Sequence, residues 1–273
     1  MPIAVITGGA RGIGQQLAVD LVARGYRVVI ADLDDTVTDA TATSLGPAAS
    51  AVHLDVTDRE NITAVIEHVE TTIGPVDLWI NNAGIMPTGA FAAQSIDVAR
   101  AIVDVDYTSV IEATGAILPR MLERGSGTIV NMASATGIKP LAGVAAYSGA
   151  KAAVIAFSSA LRRELRGSGV RIIVVMPNLV RTALGAGISP PALTGSLSAA
   201  EVSRAVLRAL DRGTFAVVVP RRLAPLLHLS ALLPVRLSDW IDDRVGSDRI
   251  GLGGDPATRA AYLAEVLARR GRE

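Results

Sequence analysis

The chain alternates short apolar runs with longer stretches of helical periodicity as far as about residue 220. Seven runs have the length and the Val and Ile content of buried strands: 3–6, 27–31, 50–54, 76–80, 127–132, 170–176 and 215–219. Helices are predicted near 13–24, 58–73, 98–123, 147–167 and 198–212, with Asp58 and Ser198 as N-caps. This alternation requires a parallel sheet with right-handed crossovers. The sequence therefore predicts a doubly wound, seven-stranded α/β fold with helices on both faces.

The composition restricts the partners that the chain can have. Half of the 273 residues are apolar and 3% are aromatic, as expected for helices packed on a parallel sheet. Basic and acidic residues balance at 26 each, so we predict no nucleic-acid partner. Cysteine is absent and the three histidines lack metal-ligand spacing, so we predict no metal. The first strand begins without a secretory leader, and we expect a cytoplasmic location.

A glycine loop follows the first strand and opens the first helix. Gly8, Gly12 and Gly14 have the spacing G-x-x-x-G-x-G, and glycines there let the backbone approach a pyrophosphate at the positive end of a helix. The alternative is a tight strand-to-helix turn without a ligand. The position directly after the first strand favours dinucleotide binding.

Two charged residues near this loop predict opposite cofactors. Asp32 ends the second strand, eighteen residues past Gly14, where a carboxylate binds the adenosine ribose and repels a 2′-phosphate. Arg11 lies in the loop and is either a partner for that phosphate or a solvated side chain. A carboxylate beside the ribose outweighs a mobile arginine, so we predict NAD, with NADP as the alternative.

Three residues have the chemistry of proton transfer. Tyr147 and Lys151 are four apart on a predicted helix, so both side chains lie on one face and the ammonium is expected to favour the phenolate. Such a tyrosine exchanges a proton with an alcohol or a carbonyl. Ser134 lies at the end of a predicted strand and could hold the reacting oxygen.

These motifs together resemble the short-chain dehydrogenase/reductase family. The resemblance is carried, in order over residues 1 to about 220, by TGGARGIG (7–14), Asp55-Val56, NNAG (81–84), Ser134, Tyr147-x-x-x-Lys151, and Pro177 with Thr182. It implies a Rossmann-like fold, and places Asp55 and Val56 at the adenine and the stretch from Pro177 to Thr182 at the carboxamide of the nicotinamide. The cofactor-binding residues that we predict are Gly8, Arg11, Gly12, Ile13, Gly14, Asp32, Asp55, Val56, Asn82, Ala83, Gly84, Tyr147, Lys151, Pro177, Val180 and Thr182.

The resemblance also implies a reaction. We predict an oxidoreductase that interconverts a secondary alcohol and its ketone by hydride transfer, with Tyr147 as general acid and base and Ser134 polarising the substrate oxygen. The alternatives are an NADP-dependent carbonyl reductase and a dinucleotide-sensing protein without catalysis. The family forms dimers or tetramers through its long helices, so a homodimer or homotetramer is expected.

Two positions depart from the family pattern. Asp106 stands where a catalytic asparagine is usual, and a carboxylate near Lys151 is expected to weaken the effect of the lysine on Tyr147 and to alter the pH profile. Asn178 stands where glycine is common, and its tolerance of positive φ predicts that the turn is kept.

Two later segments bear on the ligand side. The loop 184–196 is poor in charge and is positioned as a substrate lid, which predicts a hydrophobic alcohol or ketone. Residues 1–220 form the predicted dinucleotide-binding and catalytic domain, and 221–273 a helical extension packed on it. The apolar stretch within 221–241 is too short to span a bilayer. It is interpreted as a pocket cover, a subunit contact or a peripheral membrane foot with flanking arginines. The basic end of a last helix near 256–270 is interpreted as a solvated terminus.

Overall fold

A computed structural model of the chain describes residues 1–188, 195–230 and 232–270, without the side chains of His228, Arg269 and Arg270. Six of the thirteen residues of the predicted substrate lid (184–196), namely 189–194, therefore lie outside the described residues, as do the side chains at the basic end of the last helix. The described residues form one sheet with helices on both faces.

The sheet has seven parallel strands in the order β3-β2-β1-β4-β5-β6-β7. Their bounds are β1 Ile3–Thr7, β2 Arg27–Asp32, β3 Ala49–His53, β4 Leu78–Asn81, β5 Gly127–Met132, β6 Val170–Pro177 and β7 Ala216–Val219. The predicted fold and its strands are confirmed, with boundaries that differ by two residues at most. The chain changes direction across the sheet between β1 and β4, and ligands of doubly wound folds bind outside the carboxyl ends of strands at such a point.

The helices are α1 Gly12–Ala23, α2 Asp35–Leu45, α3 Arg59–Thr72, α4 Ile96–Val103, α5 Ser109–Arg124, α6 Ala145–Glu164, α7 Ala199–Arg212, α8 Ala224–Ser230, α9 Val235–Val245, α10 Arg249–Leu252 and α11 Pro256–Arg270. Both predicted N-caps are confirmed. The Asp58 carboxylate accepts the N–H groups of Glu60 and Asn61, and Ser198 forms a reciprocal capping box with Glu201.

The β1 strand alternates between two cores. Ala4 and Ile6 pack on one face of the sheet with α1 and α7, and Ile3 and Val5 pack on the other face with α3 and α5. All of these side chains are buried, so the sheet is covered on both sides as a parallel sheet requires.

The structure differs from the predicted helices in two places. The α2 helix was not predicted, because its sequence DTVTDATATSL contains many threonines of low helix propensity; the Asp34 carboxylate caps it through the N–H of Val37. The single helix predicted over 98–123 is divided into α4 and α5 by a π-helical turn, Asp104–Thr108, in which the N–H of Ser109 bonds the carbonyl of Asp104. This turn carries Asp106.

The expected use of positive φ at Asn178 is wrong. Within the described part of the chain the residues with positive φ are all glycines. The turn is instead held by the N–H of Asn178, which donates to the carbonyl of Val219 at 2.9 Å. In the same described part, no helix is both long enough and apolar enough to cross a bilayer.

Candidate active site

The glycine loop forms a tight cradle between β1 and the end of β4. Gly8 and Gly12 have φ values of +61° and +57°, which strain any other residue. A Cβ atom on Gly8 would lie 2.8 Å from Cα of Ala83, and one on Gly14 would lie 2.7 Å from Nδ2 of Asn82. The Asn82 amide donates to the carbonyls of Thr7 and Gly8 at 3.0 and 2.9 Å, which fixes the loop. The sequence keeps glycine here because the backbones approach too closely for side chains.

A crevice of about 270 Å³ lies beside this cradle. The structure brings together most of the predicted cofactor residues around it: Gly8, Arg11, Gly12, Ile13, Asp32, Asp55, Val56, Asn82, Ala83, Gly84 and Thr182. Gly14 packs behind the loop. The remaining predicted cofactor residues, Tyr147, Lys151, Pro177 and Val180, line an adjoining pocket of about 110 Å³. Because Ile13, Asn82, Gly84 and Thr182 line both spaces, the two form one continuous depression.

Charged side chains define the outer end of the crevice. The Asp32 carboxylate ends β2 and accepts the N–H groups of Ala10 at 3.0 Å and Leu33 at 2.9 Å, so its position is fixed. The Arg11 guanidinium, 41% exposed, contacts Asp34 at 2.6 Å and Glu265 at 3.7 Å. Arg11 therefore lines the crevice and contacts two carboxylates, and it is not a simple solvated side chain.

The inner pocket contains the predicted proton-transfer residues. Tyr147 lies in the first turn of α6 and is 7% exposed, and Ser134 follows β5 and is 8% exposed. The Ser134 hydroxyl accepts hydrogen bonds from the N–H and the hydroxyl of Thr136, at 3.2 and 3.0 Å. Its own proton therefore remains for the phenol oxygen of Tyr147, with which it forms a hydrogen bond, or for a substrate oxygen.

Lys151 does not act on Tyr147 as the helical spacing predicts. Its Nζ lies 2.8 Å from Oδ1 of Asp106 and donates to the carbonyl of Met132 at 3.0 Å, whereas it is 5.7 Å from the centre of the Tyr147 ring. Burial of the phenol and the nearby charge of Asp106 raise the pKa of Tyr147 above its usual range, and the hydrogen bond to Ser134 opposes this rise. The net rise in the pKa of Tyr147 is opposite in sign to the expected acidification by Lys151, while the expected competition from Asp106 agrees with the geometry.

Asp106 is fully buried at the point where the π-helical turn inserts an extra residue into the helix. Its Oδ2 accepts the N–H of Ile85 at 3.1 Å, and a Cβ atom on Gly84 would lie 2.7 Å from its Oδ1. Burial raises the pKa of Asp106, and the contacts with Lys151 and the N–H of Ile85 partly oppose that rise. The side chain thus joins the end of β4 to the lysine.

The model of the family described as short chain dehydrogenase matches residues 2–192. The chain belongs to this family. Among curated relatives of this short-chain dehydrogenase, the ketoacyl reductase HetN of Nostoc sp. is 34% identical over 221 residues, which cover 79% of this chain and 77% of HetN.

Solved structures give the same family. A short-chain dehydrogenase from Sphingobium yanoikuyae in complex with NADPH is 29% identical, with a TM-score of 0.76 over 91% of this chain and 96% of that chain. A short-chain dehydrogenase/reductase from Burkholderia phymatum in complex with NAD has a TM-score of 0.78 over 84% of this chain and 92% of that chain. At 23% identity, the second likeness shows the fold.

The C-terminal extension of this short-chain dehydrogenase supplies site residues that the sequence did not predict. Tyr262, Glu265 and Val266 of α11 line the outer crevice, and Ile250 of α10 lines the inner pocket. The spacing of Tyr262 and Val266 indicates a helix with one apolar face, but the sequence does not say what that face packs against.

Proposed function

We propose that the chain is an oxidoreductase that uses a nicotinamide dinucleotide and reduces a hydrophobic ketone to the secondary alcohol at neutral pH. The observation that carries the proposal is the continuity of the glycine-loop crevice with the pocket that contains Ser134, Tyr147 and Lys151. A glycine cradle that Cβ atoms would fill fits a pyrophosphate at the start of α1. When bound, the nicotinamide supplies or accepts the hydride.

The protonation state of Tyr147 supports reduction as the proposed direction. Because burial and Asp106 raise this pKa, the phenol keeps its proton at neutral pH and is prepared to donate it to a carbonyl oxygen. The Ser134 hydroxyl holds the same oxygen and stabilises the negative charge that develops on it. Oxidation of the alcohol requires the phenolate, and therefore a higher pH. The ketoacyl reductase activity in the name of the relative HetN supports reduction as the main direction.

Asp106 has a positioning role in this proposal. Its carboxylate holds the Lys151 ammonium against the carbonyl of Met132 and so fixes the charge beside the inner pocket. The resemblance gives this position to an asparagine, which lacks the charge. We therefore propose that the charge of Asp106 opposes the effect of the Lys151 ammonium on Tyr147. This keeps the pKa of the phenol high and favours the protonated form that reduction uses.

NAD is the proposed cofactor. Three carboxylates, Asp32, Asp55 and Glu265, line the crevice with one guanidinium, that of Arg11, which Asp34 and Glu265 already contact. A 2′-phosphate carries close to two negative charges and would enter a site of the same sign, whereas the ribose hydroxyl of NAD is neutral and can donate to Asp32.

Replacement of Asp32 tests this preference. Asp32→Asn keeps the shape and removes the charge, so the ratio of kcat/KM for NADH to that for NADPH is expected to fall by about tenfold. An unchanged ratio would remove Asp32 from the cofactor argument, and a wild type that prefers NADPH would favour the NADP-dependent carbonyl reductase.

The inner pocket favours an apolar substrate. Seven of its lining side chains are large and aliphatic: Ile13, Met86, Met132, Leu141, Leu179, Leu184 and Ile250. The charges that line it, Asp106 and Lys151, neutralise each other. Fatty β-ketoacyl and alicyclic ketones match this lining, because burying their apolar surface contributes about 25 cal/mol per Å².

The test is a panel of ketones with NADH, followed by the absorbance of the reduced nicotinamide. Hydrophobic ketones are expected to react faster than polar ketones of the same size. Tyr147→Phe removes the proton donor while keeping the ring, and is expected to lower kcat by about 10²- to 10⁴-fold. Activity that survives this change would mean that another group transfers the proton.

A further inference from the structure

Part of the lining of the crevice comes from a segment of the chain beyond the family match. The match ends at residue 192, whereas Tyr262, Glu265 and Val266 of α11 line the crevice opposite the glycine loop. Val266 is 8% exposed, so this helix is packed against the domain and is not a free terminal segment.

A buried arginine fixes the position of α11. Arg259 is 8% exposed, and its guanidinium donates to the Thr88 hydroxyl at 3.0 Å and to the carbonyls of Leu184 and Ala186 at 2.9 and 3.1 Å. It also donates to the carbonyl of Met86 and lies 4.6 Å from the centre of the Tyr262 ring. Such a set of partners holds a planar guanidinium in one orientation, and so determines where the next turns of α11 lie.

A second anchor lies one turn further along the helix. The Tyr262 hydroxyl accepts the N–H of Met86 at 3.0 Å, at the segment that follows β4. With Arg259 and Tyr262 fixed, Glu265 faces the glycine loop, and its Oε1 lies 3.7 Å from Nη1 of Arg11. The other terminal nitrogen of the same guanidinium, Nη2, contacts Asp34 at 2.6 Å.

We infer that Glu265 is a specificity-determining residue of the cofactor site, which rejects dinucleotides that carry a 2′-phosphate. Arg11 is the cation of the glycine loop that could pair with such a phosphate, and Glu265 and Asp34 contact its two terminal nitrogens. Glu265 also adds a negative charge to the wall that the phosphate would approach. The inference rests on the proposed dinucleotide-dependent function and assigns part of its specificity to the C-terminal extension.

Direct binding measurements test this role without turnover. The dissociation constants of NADH and NADPH would be measured by fluorescence titration for the wild type, Glu265→Gln and Glu265→Lys. Because an exposed ion pair is worth about 0.2–1 kcal/mol, Glu265→Gln is expected to strengthen NADPH binding by about threefold. Glu265→Lys reverses the charge and is expected to strengthen NADPH binding by about tenfold. NADH binding should change by less than about twofold, since it lacks the phosphate.

The chain offers a matched control for these variants. Glu67 is 60% exposed against 54% for Glu265, and it pairs with Arg120 at 3.4 Å between α3 and α5, outside the lining of the crevice. Glu67→Gln and Glu67→Lys are expected to leave both dissociation constants unchanged. Thermal unfolding of each variant checks that α11 stays packed.

The possible failures are distinguishable. Equal effects of the Glu265 changes on NADH and NADPH, or no effect on either, would overturn the specificity role while the proposed function stands. A wild type that binds neither dinucleotide would overturn the proposed function and this inference with it. A wild type that binds NADPH more tightly than NADH would contradict the NAD preference. The role of Glu265 would then still be tested by the change that its variants make in the ratio of the two dissociation constants.

Discussion

The two ends of the depression each hold a cation against a carboxylate, but in different surroundings. At the inner end Lys151 lies 2.8 Å from Asp106, with side chains that are 5% and 0% exposed. At the outer end Arg11 lies 2.6 Å from Asp34, with side chains that are 41% and 32% exposed. The distances are similar, so the difference in effect must come from burial. Water and salt screen the outer pair and hardly reach the inner pair.

This difference separates two functions. Under the proposed function, the inner pair acts on Tyr147 with little screening and influences the pH range of proton transfer. The outer pair contributes little stability, but it decides which charges a ligand meets on entering the crevice. Judged by contact distance alone, the outer pair at 2.6 Å would be the stronger of the two.

The largest expected difference between the ends is in stability. Lys151→Met leaves the Asp106 carboxylate buried without its cation, which is expected to lower the free energy of unfolding by about 3–5 kcal/mol at pH 7. Arg11→Met at the exposed end is expected to cost less than about 1 kcal/mol. Denaturant unfolding of both variants measures the two values.

The pH dependence of the stability that Lys151→Met loses serves as a control for its cause. The pKa of Asp106 is raised in the folded protein, and removing Lys151 raises it further. A carboxyl whose folded pKa is raised contributes stability that is present at low pH and is lost as the pH rises through the folded pKa. The destabilisation by Lys151→Met should therefore shrink as the pH falls, and the double variant with Asp106→Asn should recover much of it. Equal losses at the two ends would refute the role of burial.

A smaller but more specific effect is expected at the inner end from Asp106→Asn alone. Removing this negative charge lowers the pKa of Tyr147, because Asp106 is one of the causes that raise it, and it frees Lys151 to favour the phenolate. The pH midpoint of alcohol oxidation should move down by about one unit. The measurement is the pH profile of kcat/KM in both directions.

The thermal stability of Asp106→Asn decides how its pH profile is interpreted. If Asp106→Asn unfolds at the wild-type temperature and its pH profile is unchanged, the carboxylate does not influence Tyr147. A shift towards higher pH would have the wrong sign for the proposed electrostatics. Asp97→Asn, at an exposed carboxylate on α4, serves as the control for a general change of charge.

The comparison also shows which parts of the site could be predicted from the sequence. The glycine loop, Asp32 and the Tyr147–Lys151 spacing depend on residues close together in the chain, so their local patterns predicted where they lie. The role of Lys151 did not follow, because Asp106 approaches it from another helix through a π-helical turn that has no simple sequence pattern. Helical spacing places two side chains on one face but does not identify their competitors.

The part of the crevice lining that α11 supplies could not be predicted, for a related reason. Arg259 meets Met86 and Thr88 across more than 170 residues of chain, and the sequence of α11 alone is compatible with a solvated terminal helix. The fold was more predictable because a parallel sheet needs apolar strands at regular intervals, and seven such runs can be read directly. Contacts between distant segments require the folded backbone before their partners can be named.

The smallest expected effect is a difference in how the two ends of the depression respond to added salt. The Debye length falls from about 10 Å at 0.1 M to about 3 Å at 1 M, so added salt screens the outer charges and leaves the inner pair nearly unaffected. The lining of the crevice has more carboxylates than cations, and salt should therefore improve NADPH binding relative to NADH binding by about twofold to threefold. The pH midpoint of alcohol oxidation should stay constant over the same range. A midpoint that moves with salt would mean that water reaches the Lys151–Asp106 pair, and the contrast between the two ends would then no longer explain their functions.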